Sequence, residues 1–104
     1  MKNEQLCALA QQGDAAAKNQ LIENNLPFVY QLAYEVWSAH NELNQSLGIE
    51  VDDLAQEGSM GLLRCMDSYD PSSGVQFLSY AAPAIRVRFP DGSETLRLEY
   101  RSHE

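Results

Sequence analysis

Residues 51–80 read VDDLAQEGSMGLLRCMDSYDPSSGVQFLSY, and the rest of the chain is organised around them. Asp52 and Asp53 stand where a helix N-terminus favours side-chain acceptors and negative charge, so a helix is predicted to begin near Asp53. Spacings of three and four residues then place one apolar stripe on the buried side of this helix. The stripe consists of Leu54, Gly58, Gly61, Leu62, Cys65 and Tyr69.

The opposite side of this helix mixes polar with large apolar side chains. It carries Gln56, Ser59, Met60, Leu63, Arg64 and Asp67. Met60 and Leu63 among polar neighbours indicate either a contact surface for a partner or coverage by another part of the chain. On the buried side, Gly58 and Gly61 each cost about 1 kcal/mol relative to Ala in a helix interior, which indicates a groove where another helix approaches closely.

The N-terminal part predicts three further helices. Asn3 can cap a short first helix that stops at Gly13, a residue that tolerates the left-handed conformation. Asp14 can cap a second helix, which is predicted to run to Glu23 and to break at the Asn24-Asn25 pair.

A third helix is predicted from Asn25 to about His40, with Pro27 in its first turn, where a proline loses no intrahelical hydrogen bond. Trp37 on its inner stripe indicates a core residue, with a ligand or partner role as the alternative. The whole stripe is Leu26, Val29, Tyr30, Ala33, Val36 and Trp37.

Residues 41–50 are polar without a sustained period and predict a loop or a weak helical turn. Residues 70–74, DPSSG, predict a turn because Pro fixes φ, Asp and Ser bond locally and Gly supplies positive φ. The next helix is predicted to begin between 75 and 77, and Pro83 should leave it bent or short. From Arg86 to Tyr100 the pattern alternates around a Pro-Asp-Gly turn, which predicts a β-hairpin that either packs on the helices or remains a loose tail.

The chain has 104 residues, 44% of them hydrophobic, which fits one domain with a modest core. It shows no long apolar run, so we expect a cytoplasmic protein without a membrane segment. Cys7 and Cys65 lie on apolar stripes and are expected to be free, buried thiols. His40 and His103 have no partner at metal spacing, and no phosphate-binding loop is present, so neither a cofactor nor an enzymatic reaction is expected.

Charge is unevenly distributed along the chain. Residues 1–84 hold three basic and eleven acidic residues, which accounts for the whole formal charge of −8, whereas residues 85–104 hold four of each. Phosphate contacts require Lys and Arg, so an acidic body suits a basic protein partner better than bare DNA.

One ordered series of residues resembles conserved region 2 of bacterial sigma-70 family RNA polymerase sigma factors, especially the sporulation and stress branch. The series spans a helix, a loop and the next helix, and the resemblance covers roughly residues 3–86. It consists of Asp53-Leu54-x-Gln56-Glu57-Gly58-x-x-Gly61-Leu62, Asp67-x-Tyr69-Asp70 and Phe77-x-Ser79-Tyr80-Ala81, preceded by Leu21-Ile22-Glu23-Asn24-Asn25-Leu26-Pro27-Phe28-Val29.

The resemblance implies an all-α bundle of four or five helices over residues 1–86, followed by a divergent tail at 87–104. It also implies that the outer face of the main helix binds a coiled coil on the largest subunit of core RNA polymerase. An anti-sigma factor or a second copy of the chain is a further expected partner. The polymerase-binding residues would be Asp53, Gln56, Glu57, Ser59, Met60, Leu63 and Arg64.

In the resembling family the following helix opens and reads the promoter −10 element, which here would involve Phe77, Tyr80, Arg86 and Arg88. Phe77 and Tyr80 could stack on bases if exposed, or belong to the core. The long basic helix of that family is replaced after Arg86 by the hairpin pattern. Two hypotheses therefore stand: an initiation factor that binds polymerase and −10 DNA, and an interaction module that binds polymerase or itself without reading DNA.

Overall fold

The computed structural model of the protein describes residues 1–88, with only the backbone described at Val87 and Arg88. These residues form an all-α bundle of five helices, which confirms the predicted fold class. The helices are α1 Asn3–Gln11, α2 Ala15–Ala39, α3 Asn41–Ser46, α4 Val51–Ser68 and α5 Phe77–Arg88. α4 lies between α2 and α5, and α1 packs across all three.

α4 confirms the predicted buried stripe, because Leu54, Leu62, Cys65 and Tyr69 are all buried and Leu62 is completely so. Both glycines of the stripe are buried as well, together with Ala55 and Met66. The helix begins two residues earlier than predicted, at Val51. Asp53 lies inside the first turn, where its Oδ2 accepts a hydrogen bond from the Glu50 backbone N–H at 2.8 Å.

The predicted break at residues 24 and 25 is wrong, because α2 is continuous from Ala15 to Ala39 and contains Pro27. Asn25 is buried rather than a cap, and its side-chain amide donates to the Leu21 carbonyl at 2.7 Å. It also exchanges side-chain amide hydrogen bonds with Asn3 of α1, at 2.9 and 3.2 Å. The helix continues through a proline that lacks an N–H donor, and the contact of Asn25 with α1 lies two residues before that proline.

Asp14 confirms its predicted cap, since its Oδ1 accepts from the Ala17 backbone N–H at 3.1 Å. At the other end of α2, the Trp37 indole donates to the Ile49 carbonyl at 2.8 Å, and the ring is partly buried against the core. The Asn44 side chain donates to the Trp37 carbonyl at 2.9 Å, so the short helix α3 is attached to the end of α2. Of the two alternatives for Trp37, the structure therefore supports a core residue.

Residues 70–74 form the predicted turn, with Gly74 at φ 82°. Asp70 accepts hydrogen bonds from the backbone N–H and the hydroxyl of Ser72, and these bonds lower the pKa of its carboxyl group. α5 starts at Phe77 and continues to Arg88, so residues 86–88 are helical and not the first hairpin strand. The rest of the predicted hairpin lies outside the described residues, and the predicted boundary between a domain at 1–86 and a tail at 87–104 stays a prediction.

Both cysteines are buried and free, as cysteines on apolar stripes are expected to be. Burial, followed by the nearby Glu4 carboxylate, raises the pKa of Cys7 to about 12, and burial raises the pKa of Cys65. A thiol with a raised pKa carries little reactive thiolate at neutral pH, so both residues act as small apolar core side chains.

Candidate functional site

The outer face of α4 carries the residues that are predicted to bind a partner. Gln56, Met60 and Arg64 follow one another at intervals of four and are all exposed, so they form one stripe along the helix. Met60 exposes 48% of its surface. Glu57, Ser59 and Leu63 are partly buried beside this stripe.

Asp53 and Ser59, two of the assigned residues, also make bonds within α4. Asp53 caps the helix start through the Glu50 N–H, and the Ser59 hydroxyl donates to the Ala55 carbonyl at 3.0 Å. Both roles are local and are accounted for by helix geometry. The outer face is thus best represented by Gln56, Met60 and Leu63.

Tyr30 of α2 lies beside the first turn of α4. The predicted buried stripe of residues 25–40 is wrong at Tyr30, which is 41% exposed, and it lacks Leu32, which is buried. A hydrogen bond to the Asp52 carboxylate is the main cause that raises the pKa of the Tyr30 phenol. Tyr34, one turn further along α2, is 58% exposed, so α2 adds two aromatic side chains to the protein surface.

The two aromatic residues at the start of α5 differ in accessibility. Phe77 is completely buried and packs edge-on against Tyr69, with ring centroids 5.3 Å apart and an interplanar angle of 79°. Phe77 is therefore a core residue in this structure, and its ring is not accessible for stacking on a base. Of the two alternatives left open for Phe77, the structure supports the core.

Tyr80 exposes 41% of its surface at a groove of about 270 Å³ between α4 and α5. Its hydroxyl lies 2.8 Å from the Ser68 hydroxyl, and its ring is tilted by 51° against Tyr69 at a centroid distance of 5.6 Å. These contacts position the ring of a residue that is still 41% exposed. The groove is lined by Gly61, Arg64, Cys65, Ser68, Tyr80 and Ala84.

α1 holds both sides of the junction that leads to Tyr80. Glu4 Oε2 accepts a hydrogen bond from the backbone N–H of Phe77 at 2.8 Å and so caps the start of α5. Gln11 Nε2 donates to the Met66 and Tyr69 carbonyls, at 2.8 and 2.7 Å, at the end of α4. The Tyr69 hydroxyl in turn donates to the Val75 carbonyl across the turn.

The basic residues at the end of α5 were assigned to DNA. The Arg86 guanidinium lies 3.8 Å from a carboxylate oxygen of Glu35 on α2, and both side chains are more than half exposed. Arg88 belongs to α5, but its side chain is outside the described part of the protein.

The part of the chain that the structure describes contains neither a metal-binding cluster nor a membrane-spanning helix. Within residues 1–88 no three side chains of the His, Cys, Asp or Glu type are grouped so that they could hold a metal ion. Over the same part of the chain, none of the helices combines the length and the apolar character needed to cross a membrane.

Comparison with known proteins identifies the family. The family model for sigma-70 region 2 matches residues 21–92. The chain therefore belongs to the sigma-70 region 2 family, which confirms the resemblance noted in the sequence. No solved structure matches the chain.

Several sigma factors are similar to this chain. The RNA polymerase sigma-C factor of Myxococcus xanthus is 39% identical over 75 residues, covering 72% of this chain and 23% of that protein. The RNA polymerase sigma-F factor of Bacillus licheniformis is 38% identical, covering 79% of this chain and 29% of that protein. The sigma factor SigA of a Synechocystis species is 32% identical, covering 88% of this chain and 20% of that protein. The chain thus spans less than a third of the length of these relatives.

Proposed function

We propose that the chain acts in transcription initiation as a sigma-factor-like protein that binds core RNA polymerase through the outer face of α4. Its membership of the region 2 family and its similarity to named RNA polymerase sigma factors support this role. The proposed partner is a coiled coil of the largest polymerase subunits.

The observation that carries the proposal is the exposure of Met60, a large apolar side chain, between the exposed polar residues Gln56 and Arg64 on the outer face of α4. Met is unbranched and adapts to irregular surfaces, so it is suited to contact a partner. Gln56 and Arg64, one turn away on either side, extend the contact into a stripe that a partner helix can follow. The acidic charge of residues 1–84 favours a partner with basic side chains.

Capture of core RNA polymerase by the tagged chain tests this surface. Met60→Lys places a charge in the centre of the proposed contact and is expected to abolish capture, because an unpaired charge there would be desolvated. Gln12→Lys makes the same addition of positive charge at an exposed position between α1 and α2, and should leave capture unchanged. Equal capture by both variants would show that α4 does not present the binding face.

We further propose that Tyr80 contacts single-stranded DNA of the promoter −10 element when the chain is bound to polymerase. Stacking on an aromatic side chain contributes about 1–3 kcal/mol per base and requires an exposed ring, and Tyr80 is 41% exposed beside this groove. Arg64 on the wall of that groove and Arg86 further along α5 are the neighbouring cations.

The test uses forked DNA and the polymerase complex. Tyr80→Ala should weaken DNA binding by roughly 5- to 100-fold, whereas Tyr80→Phe retains the ring and should bind almost normally. Tyr34→Ala removes an exposed ring from α2 and serves as the control. If Tyr80→Ala binds like the parent chain, Tyr80 does not stack on DNA.

The second candidate function is an interaction module that binds polymerase, a second copy of the chain or an anti-sigma factor without reading DNA. The burial of Phe77 and the acidic body favour it, because they leave few groups to hold a nucleic acid. Normal capture of polymerase by a complex that shows no affinity for forked DNA would favour this alternative. Self-association would be detected by sedimentation of the chain alone.

A further inference from the structure

An exposed ion pair joins Arg86 of α5 to Glu35 of α2. Arg86 lies on the same helix as Tyr80. The two charged groups are 3.8 Å apart, and 57% of the Arg86 side chain and 54% of the Glu35 side chain are accessible. Arg86 follows Tyr80 by six residues, which corresponds to about 9 Å along the helix axis. Six residues also turn the helix by about 600°, so the two side chains leave α5 about 120° apart, and a strand stacked on Tyr80 reaches Arg86 when its backbone continues around the helix toward α2.

Stability does not explain this pair. Exposed ion pairs contribute little to folding, because water and salt screen the attraction and two long side chains lose freedom. The end of α5 is already fixed by Ile85, which is completely buried next to Arg86 in the chain. The pair therefore has its main effect on the charge that α5 presents to a ligand.

That charge matters for nucleic-acid binding. Each cation that neutralises a phosphate releases counterions. For single strands, this makes the slope of log affinity against log salt concentration steeper by about 0.7. The Glu35 carboxylate, 3.8 Å from the Arg86 guanidinium, partly offsets its charge, so Arg86 attracts a phosphate less strongly than an unpaired arginine would. Glu35 thus reduces the contribution of Arg86 to phosphate binding.

We propose that Glu35 sets the affinity of this chain for single-stranded DNA by holding and neutralising Arg86. The inference rests on the proposed contact of α5 with DNA. It predicts that a chain without the Glu35 carboxylate binds single-stranded DNA more tightly than the parent chain. A phosphate backbone is the ligand that competes with Glu35 for the guanidinium.

The experiment is a double-mutant cycle on the full chain, with a short fluorescent single-stranded oligonucleotide and anisotropy measured over a salt series. Glu35→Gln is expected to raise the affinity about three- to tenfold at low salt. It should also make the slope of log affinity against log salt concentration steeper by about 0.7. Glu42→Gln removes the same charge from an exposed position on α3 and is the matched control, expected to change the affinity less than twofold. Arg86→Gln should lower the affinity, and adding Glu35→Gln to it should give no gain.

The outcomes separate the inference from the function on which it rests. If Glu35→Gln and Glu42→Gln raise the affinity equally, or if Glu35→Gln still raises it when Arg86 is replaced, the proposed role of Glu35 is wrong while DNA binding stands. If neither the parent chain nor Glu35→Gln binds the oligonucleotide, the chain alone has no affinity for Glu35 to limit and the inference is wrong, whereas the contact proposed in the polymerase complex is tested separately by Tyr80→Ala. Circular dichroism melting of each variant confirms that the compared chains are folded.

Discussion

On one face of α4, Leu62 is completely buried between α2 and α5, and on the other face Met60 exposes 48% of its surface two residues earlier in the chain. The inner face is closed by the protein's own helices. The outer face carries large apolar side chains without equivalent cover. Leu63, directly after Leu62, is only partly buried.

This difference separates stability from partner binding within a single helix. Inner-face side chains contribute through packing, so their loss lowers the free energy of unfolding. Outer-face side chains contribute little to the free energy of unfolding and remain available to a partner. Substitutions at neighbouring positions of α4 should therefore have opposite consequences, and the following experiments test how far that separation extends.

The largest effect is expected for Leu62→Ala. Removing a completely buried leucine leaves a cavity and should lower the free energy of unfolding by about 2–5 kcal/mol. Leu63→Ala is the matched control on the next residue and should cost about 1 kcal/mol or less, because that side chain is only partly buried. Urea unfolding followed by circular dichroism measures both, and equal losses would contradict the assignment of the two faces.

The second largest loss of stability is expected for Asn25→Ala, which removes the contact between α2 and α1 two residues before Pro27. Asn25 bonds to the Leu21 carbonyl and to Asn3 in a partly buried setting, so its removal should cost about 1–3 kcal/mol. Asn24→Ala removes a neighbouring amide whose partner, Gln20, is exposed, and should cost only about 0.5 kcal/mol. The gain in helix propensity is the same for both variants, so the difference between their melting curves isolates the buried contact. Indistinguishable melting curves would show that this contact does not stabilise α2.

Features set by local periodicity were predictable from the sequence. The buried stripe of α4, the Asp14 cap and the turn at 70–74 each depend on residues close together in the chain, and the structure confirms all three. The mixed polar and apolar outer face of α4 was predictable for the same reason, since a helical period fixes which side chains share a face.

Features set by contacts between distant residues were not predictable in this way. Asparagine commonly ends a helix, yet Asn25 lies within a continuous helix, where it is buried and pairs with Asn3, 22 residues away. Phe77 and Tyr80 are separated by a single helical turn, and their different burial depends on where Tyr69 and α1 lie. The Glu4 cap on α5 joins residues 73 positions apart, so no local pattern reveals it.

A smaller loss is expected at that cap. Glu4→Ala leaves the Phe77 N–H without its acceptor and should cost about 0.5–2 kcal/mol, with faster hydrogen exchange at the Phe77 amide. Glu4→Gln retains an acceptor oxygen while removing the charge, and should preserve most of the protection. If both variants exchange at the same rate, charge rather than the hydrogen bond stabilises the start of α5.

The smallest effect on stability should accompany the largest effect on function. Gln56→Ala combined with Leu63→Ala removes two side chains from the outer face, one exposed and one partly buried, and should lower the free energy of unfolding by about 1 kcal/mol or less. The proposed function nevertheless requires that this double variant lose capture of core RNA polymerase, since interface side chains act through contacts made only in the complex. Leu62→Ala provides the opposite control, because it should retain capture at temperatures where it is still folded. Thermal melting and polymerase capture are therefore measured on both variants at the same temperature. A double variant that unfolds early would place these side chains in the core, and one that stays folded and binds normally would move the polymerase contact away from α4.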